Sequence, residues 1–91
     1  MIKIIKLEYT GGHTLRLTFS DGMNGLWDAA PLLASRKTPL TNPLREDFTE
    51  FARAFIESGA LAWPNGLELA PWTLWDGLNR DGLLVREAEA A

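Results

Sequence analysis

His13 is the single histidine of a 91-residue chain, so acid–base chemistry at neutral pH would fall to it first. A nucleophilic triad would need it beside Ser20, Ser35 or Ser58, with a carboxylate to orient its second nitrogen. A metal site would need companion ligands. The chain has no cysteine, which removes thiolate nucleophiles, zinc–thiolate sites and disulfides together. His13 follows Gly11-Gly12, and a glycine turn predicts a solvent-exposed side chain. Carboxylates are more plentiful. Asp21, Asp28, Glu46, Asp47, Glu68 and Asp76 could supply a catalytic pair or a hard-cation site. Each also has a plain local role as turn residue, N-cap, first-turn helical acid or exposed strand position. Gly11-Gly12 lacks both the Gly-x-Gly-x-x-Gly spacing and a following Lys-Ser/Thr, so it is not a phosphate cradle. No residue is assigned a catalytic, cofactor-binding or metal role, and a non-enzymatic protein is expected.

Aromatic residues carry more information. Trp27, Trp63, Trp72 and Trp75 make four tryptophans in 91 residues, a clear excess. Trp63 is expected in the core under a Pro64-Asn65-Gly66 turn. Trp72 and Trp75 are three apart and share one side of a helical turn. A domain of this size buries roughly 60–65% of its unfolded surface, so at least one of the pair is expected outside the core. Exposed tryptophan marks partner surfaces, because it buries a large area at low entropic cost. Satellite core and interface are both open for this pair. The candidate partner-binding set is Trp72, Trp75, Trp63, Pro64, Asn65 and Gly66.

Charge limits the choice of partner. Nine Lys and Arg against twelve Asp and Glu give a net charge of −3, with the basic residues scattered. Displacing counterions from a nucleic-acid backbone requires clustered positive charge, so DNA or RNA binding is disfavoured. No apolar run approaches the length of a membrane span. Residues 1–6 carry Lys3 and Lys6 within the apolar run and no small-residue cleavage site, unlike a secretory signal. A cytoplasmic protein is expected.

The elements that must position these residues read as α+β. Ile5, Leu7 and Tyr9 alternate with Lys6 and Glu8, a half-buried strand over residues 2–9. Ile4-Ile5 breaks the alternation, which suggests a bulge. Leu15, Leu17 and Phe19 give the clearest strand. Asp21-Gly22 is a hairpin turn into a third strand over 23–27, completing an antiparallel meander. Gly25 inside that strand predicts a bulge or a close backbone approach. Asp28 is an N-cap for a short helix containing Pro31. Residues 34–42 read as an exposed loop. Asn42-Pro43 opens a second helix. Leu44, Phe48, Phe51 and Phe55 then recur at helical spacing, which would extend it to Glu57. The competing reading ends it near Ala52, with a strand over 53–57 turning at Ser58-Gly59 into 61–63. Pro71 begins one helical turn as far as Trp75. A single α+β domain is expected over 1–76, with 77–91 an extension whose last six residues fray.

Three stretches together resemble the bacterial domain of unknown function 2442 family. They are Phe19-Ser20-Asp21-Gly22, Asn42-Pro43-Leu44-Arg45-Glu46-Asp47-Phe48, and Leu61-Ala62-Trp63-Pro64-Asn65-Gly66-Leu67-Glu68-Leu69-Ala70-Pro71. Trp63-Pro64-Asn65-Gly66 is the most specific part, and the resemblance spans about residues 2–76. It implies a meander, a helical middle and a later hairpin ending at Trp63, and so favours a strand over 53–57. It implies no enzymatic activity. Members look like accessory modules, some fused to a helix-turn-helix domain and others encoded beside a small partner in a toxin–antitoxin-like arrangement. Here fifteen residues follow Asp76, fewer than a helix-turn-helix domain needs. Glu68 stands where the family pattern has Asp, and Trp72 and Trp75 where it is often polar or Tyr.

A non-catalytic, antitoxin-like or regulatory accessory domain is therefore expected, binding a protein partner such as the product of an adjacent gene. A homodimer is also expected, through unpaired strand edges at residues 2–4 or 23–26. The alternatives are a nucleic-acid-associated transcriptional regulator and a small metal-dependent hydrolase. The hydrolase would require His13 to meet two carboxylates in a pocket.

Overall fold

Leu15, Leu17 and Phe19 are fully buried, as a period of two on a one-sided strand dictates. The computed structural model describes residues 1–86. The elements run β1 (Ile4–Gly11), β2 (Thr14–Phe19), β3 (Met23–Asp28), α1 (Ala30–Ser35), α2 (Asn42–Glu46), α3 (Phe48–Phe51), β4 (Phe55–Glu57), β5 (Ala60–Ala62), β6 (Glu68–Leu69), α4 (Pro71–Arg80) and β7 (Val85–Arg86). Two antiparallel sheets result, ordered β1-β2-β3-β7 and β4-β5-β6. With the short helices they form the expected α+β fold. One core joins the layers: Leu17 and Phe19 from the first sheet, Leu61 from the second, Phe51 from α3, and Leu74 and Leu78 from α4.

The expected bulge in β1 is present. Ile4 pairs with Phe19 and Lys6 with Thr18, so Ile5 is an extra residue. This corrects the simple alternation: Ile4 is buried and Ile5 is 60% exposed. A second irregularity at Thr10 leaves residues 6–9 as the regular part of the strand. Gly25 marks a close approach, as its place in β3 suggested. A Cβ there would lie 3.0 Å from the Leu83 carbonyl oxygen and 3.2 Å from Leu78 Cδ1. Met23 and Asn24 are not an edge, because β7 pairs with them on the side of β3 away from β2. The first sheet ends at β1 on one side.

Asp28 accepts a hydrogen bond from the Ala30 amide at 3.0 Å at the start of α1. The helix of residues 43–57 that the Leu44–Phe55 spacing allows does not form. Asp47 adopts an extended conformation between α2 and α3, and its carboxylate accepts from the Thr49 amide at 2.9 Å. The break turns Phe51 into the core while Phe48 stays 56% exposed. Phe55 lies instead in β4, which pairs with β5 through Ser58 and Gly59. Both turn residues have positive φ, +50° and +85°, the geometry that matches strand twist in a two-residue hairpin. The Ile4 amide donates to the Gly59 carbonyl at 2.8 Å and ties this hairpin to β1.

α4 is longer than the single turn expected. It continues through Gly77 to Arg80, and Leu78 is a core residue. β7 then extends the first sheet, so the packed unit runs past Asp76. Of the tail expected to fray, Arg86 is a strand residue, and positions 87–91 lie outside the described residues. No helix among the described residues is long and apolar enough to cross a membrane.

Candidate functional site

Pro71 opens α4 at the position where a missing N–H costs nothing. Leu74 and Leu78, four apart, bury toward the sheets. Trp72 and Trp75 are thereby placed together on the helix flank. Their rings stack with centroids 5.4 Å apart and planes 13° from parallel. Trp75 is half-buried, and its Nε1–H donates to Asp21 Oδ2 at 3.0 Å. The other oxygen of Asp21 accepts from the Met23 amide at 3.1 Å, closing the β2–β3 turn. Asp21 thus fixes its own turn and also anchors a ring from the far end of the chain. Trp72 lies on that anchored ring and is 59% exposed. One turn later Asp76 and Arg80 form an exposed ion pair at 3.2 Å, a contact screened by solvent.

On the other flank of α4, away from the tryptophans, an open groove of about 510 Å³ runs between α1 and α4, lined by Trp27, Asp28, Leu32, Thr73 and Gly77 among others. Gly77 leaves it clear, since a Cβ there would meet no atom within 4 Å. A smaller hollow of about 170 Å³ continues it toward β6 and shares Leu32, Thr73 and Leu74.

The turn of residues 63–66 is built differently. Trp63 is 2% exposed, and its Nε1–H donates to the Phe51 carbonyl at 2.9 Å. Its ring lies 5.7 Å from that of Phe51. Pro64 takes the second turn position, where its fixed φ fits, and Gly66 the fourth, with φ +98°. The Gly66 amide donates to the Trp63 carbonyl at 3.0 Å, and the Trp63 amide to that of Leu67 at 2.9 Å. Asn65 accepts from the Leu67 amide at 3.1 Å and donates to the Leu40 carbonyl at 2.8 Å.

A family model described as protein of unknown function (DUF2442) matches residues 4–80, from the start of β1 to the end of α4. The chain belongs to the DUF2442 family. No curated protein and no solved structure matches it.

Within this DUF2442 domain, the stretch that carried the resemblance is a brace. Trp63 holds the helical middle against the second sheet, and Asn65 clips down the preceding loop. Trp63 belongs to the expected partner-binding set, but its ring is buried and offers no surface. Pro64, Asn65 and Gly66 are exposed. Among the described residues, no hydrogen bond or ring contact joins this turn to Trp72 or Trp75.

His13 corrects another expectation. It is part-buried rather than free on a turn, with its ring centroid 4.7 Å from Phe48 and 5.1 Å from Phe51. Its Nε2 lies 2.9 Å from the Leu44 carbonyl. A carbonyl oxygen only accepts, so Nε2 carries the hydrogen. Residues from the β1–β2 turn, α2 and α3 thus meet at this imidazole. No group of three or more His, Asp or Glu able to hold a metal ion is found among the described residues.

Trp72 and Trp75 are legible in the sequence from their spacing. The Asp21 anchor, 54 positions away, is not. Nor is the length of α4, although Leu74 and Leu78, and Asp76 and Arg80, stand four apart. Gly77 obscured both patterns.

Proposed function

We propose that this DUF2442 domain is a non-catalytic protein-binding module of the cytoplasm, antitoxin-like or regulatory, that engages a small protein partner encoded beside it. The observation that carries the reading is Trp72. A large aromatic ring is held 59% in solvent on a second ring whose orientation is set by a hydrogen bond to Asp21. Binding a preorganised ring costs little side-chain entropy, and burying it removes extensive apolar surface from water. Interface hot spots are rich in tryptophan for this reason.

The engagement of the other candidate side chains supports the same reading. Asp21, Asp28 and Asp47 each hold a backbone amide at a turn or helix start. His13 is spent on the Leu44 carbonyl and two phenylalanines.

The test is co-expression with the product of the adjacent gene, followed by size-exclusion chromatography. A stable complex is expected with the native chain, and its loss with Trp72→Ala while the domain's own melting temperature barely moves. No complex, or one indifferent to Trp72→Ala, contradicts the proposal.

A further inference from the structure

We infer that β1 is a self-association edge, at which a second copy of this chain pairs antiparallel about a two-fold axis through Leu7. β1 ends its sheet, and among the described residues no strand pairs with its outer side. The β4–β5 hairpin packs against its beginning, where the Ile4 amide meets the Gly59 carbonyl and β4 lies near β1. Beyond that point residues 6–9 keep regular register between the irregularities at Ile5 and Thr10. Such an open edge accepts another strand readily.

The chemistry of the edge selects the occupant and the register. In an isologous pair a residue contacts its own symmetry-related patch, and directly opposite residues lie on the same face of the sheet. Leu7 and Tyr9 pair with the buried Leu17 and Leu15, so they share the core-side face, whereas Lys6 and Glu8 are exposed on the other. An axis between two residues would set Leu7 against Glu8, on opposite faces, and is excluded. An axis at Lys6 would oppose two ammonium groups, and an axis at Glu8 two carboxylates. An axis at Tyr9 would carry the pairing across the Thr10 irregularity. An axis at Leu7 sets Lys6 of each copy against Glu8 of the other and Leu7 against Leu7. Arg16 stands opposite Glu8 on β2, so charge then alternates across the joined sheets on that face. Ile5 and Tyr9, both exposed, bracket the seam at each end.

This inference does not rest on the tryptophan platform, which lies toward the β3 side of the sheet. The test is sedimentation equilibrium of the full chain over a range of concentrations. The native chain is expected to reach twice its 10.1 kDa mass. Lys6→Glu and Glu8→Lys, at exposed positions and checked for folding by circular dichroism, are each expected to remain monomeric. An equal mixture of the two is expected to recover the doubled mass, as is the Lys6→Glu/Glu8→Lys double variant, while Trp72→Ala leaves the native dimer unchanged. A native chain that stays monomeric throughout overturns the inference. So does a dimer indifferent to either single substitution, or single variants whose mixture fails to associate.

Discussion

Two tryptophans on this chain form an instructive contrast, because the same indole group does opposite work at each. Trp63 spends its N–H on the Phe51 carbonyl inside the core. Trp63→Phe would leave that carbonyl with only the longer 3.3 Å bond from the Ala54 amide. Lost hydrogen bonding and packing together predict a destabilisation of about 1–3 kcal/mol in urea unfolding. Trp75 spends its N–H on Asp21 near the surface and so becomes the floor on which Trp72 rests. Trp72 makes no such internal commitment, and its replacement is expected to register in binding far more than in stability. The spacing of Trp72 and Trp75 was enough to place them on one flank. The carboxylate that orients them was not legible, because a bond spanning 54 positions leaves no local trace.

At the scale of elements, what could be read depended on whether local chemistry and tertiary packing agreed. β2 was legible because alternation and burial coincide at Leu15, Leu17 and Phe19. The β4–β5 turn was legible because Ser58-Gly59 supplies two residues able to adopt positive φ. The break between α2 and α3 was not, since Leu44, Phe48, Phe51 and Phe55 satisfy a helical period. Only the packing of Phe51 against His13 and Trp63 shows why the chain bends at Asp47. Two glycines turn this reasoning into tests. Gly25→Ala would drive a Cβ against a backbone oxygen at 3.0 Å and a methyl of Leu78. Such overpacking is expected to cost about 1–3 kcal/mol, measured as a lowered urea midpoint. Gly59 and Gly66 have similar φ, +85° and +98°, but only Gly59 has neighbours: a Cβ there would lie 2.8 Å from Lys3 Cβ, whereas at Gly66 it would meet nothing within 4 Å. Gly66→Ala should therefore incur backbone strain alone, about 1–3 kcal/mol. Gly59→Ala should be measurably worse and should loosen the hairpin from β1, seen as faster amide exchange at Ile4.

For the whole molecule, the sheet order separates the two proposed surfaces. β1 ends the first sheet on one side, and α4 packs near β3 toward the other. Association along β1 would leave both tryptophan platforms free, so a dimer could engage two partner molecules or one bivalent one with added avidity. The net charge of −3 fits a protein partner better than a nucleic acid, whose backbone would be repelled at long range. Composition alone made that point, whereas the separation of the surfaces emerged only from topology.

Isothermal titration of the adjacent gene product with the native domain and with Trp72→Ala tests the binding claim most directly. A hot-spot tryptophan contributes at least about 2 kcal/mol, so the variant should bind about 30-fold more weakly or not at all, while its melting curve overlays that of the native domain. Equal affinities for the two folded proteins would contradict the account.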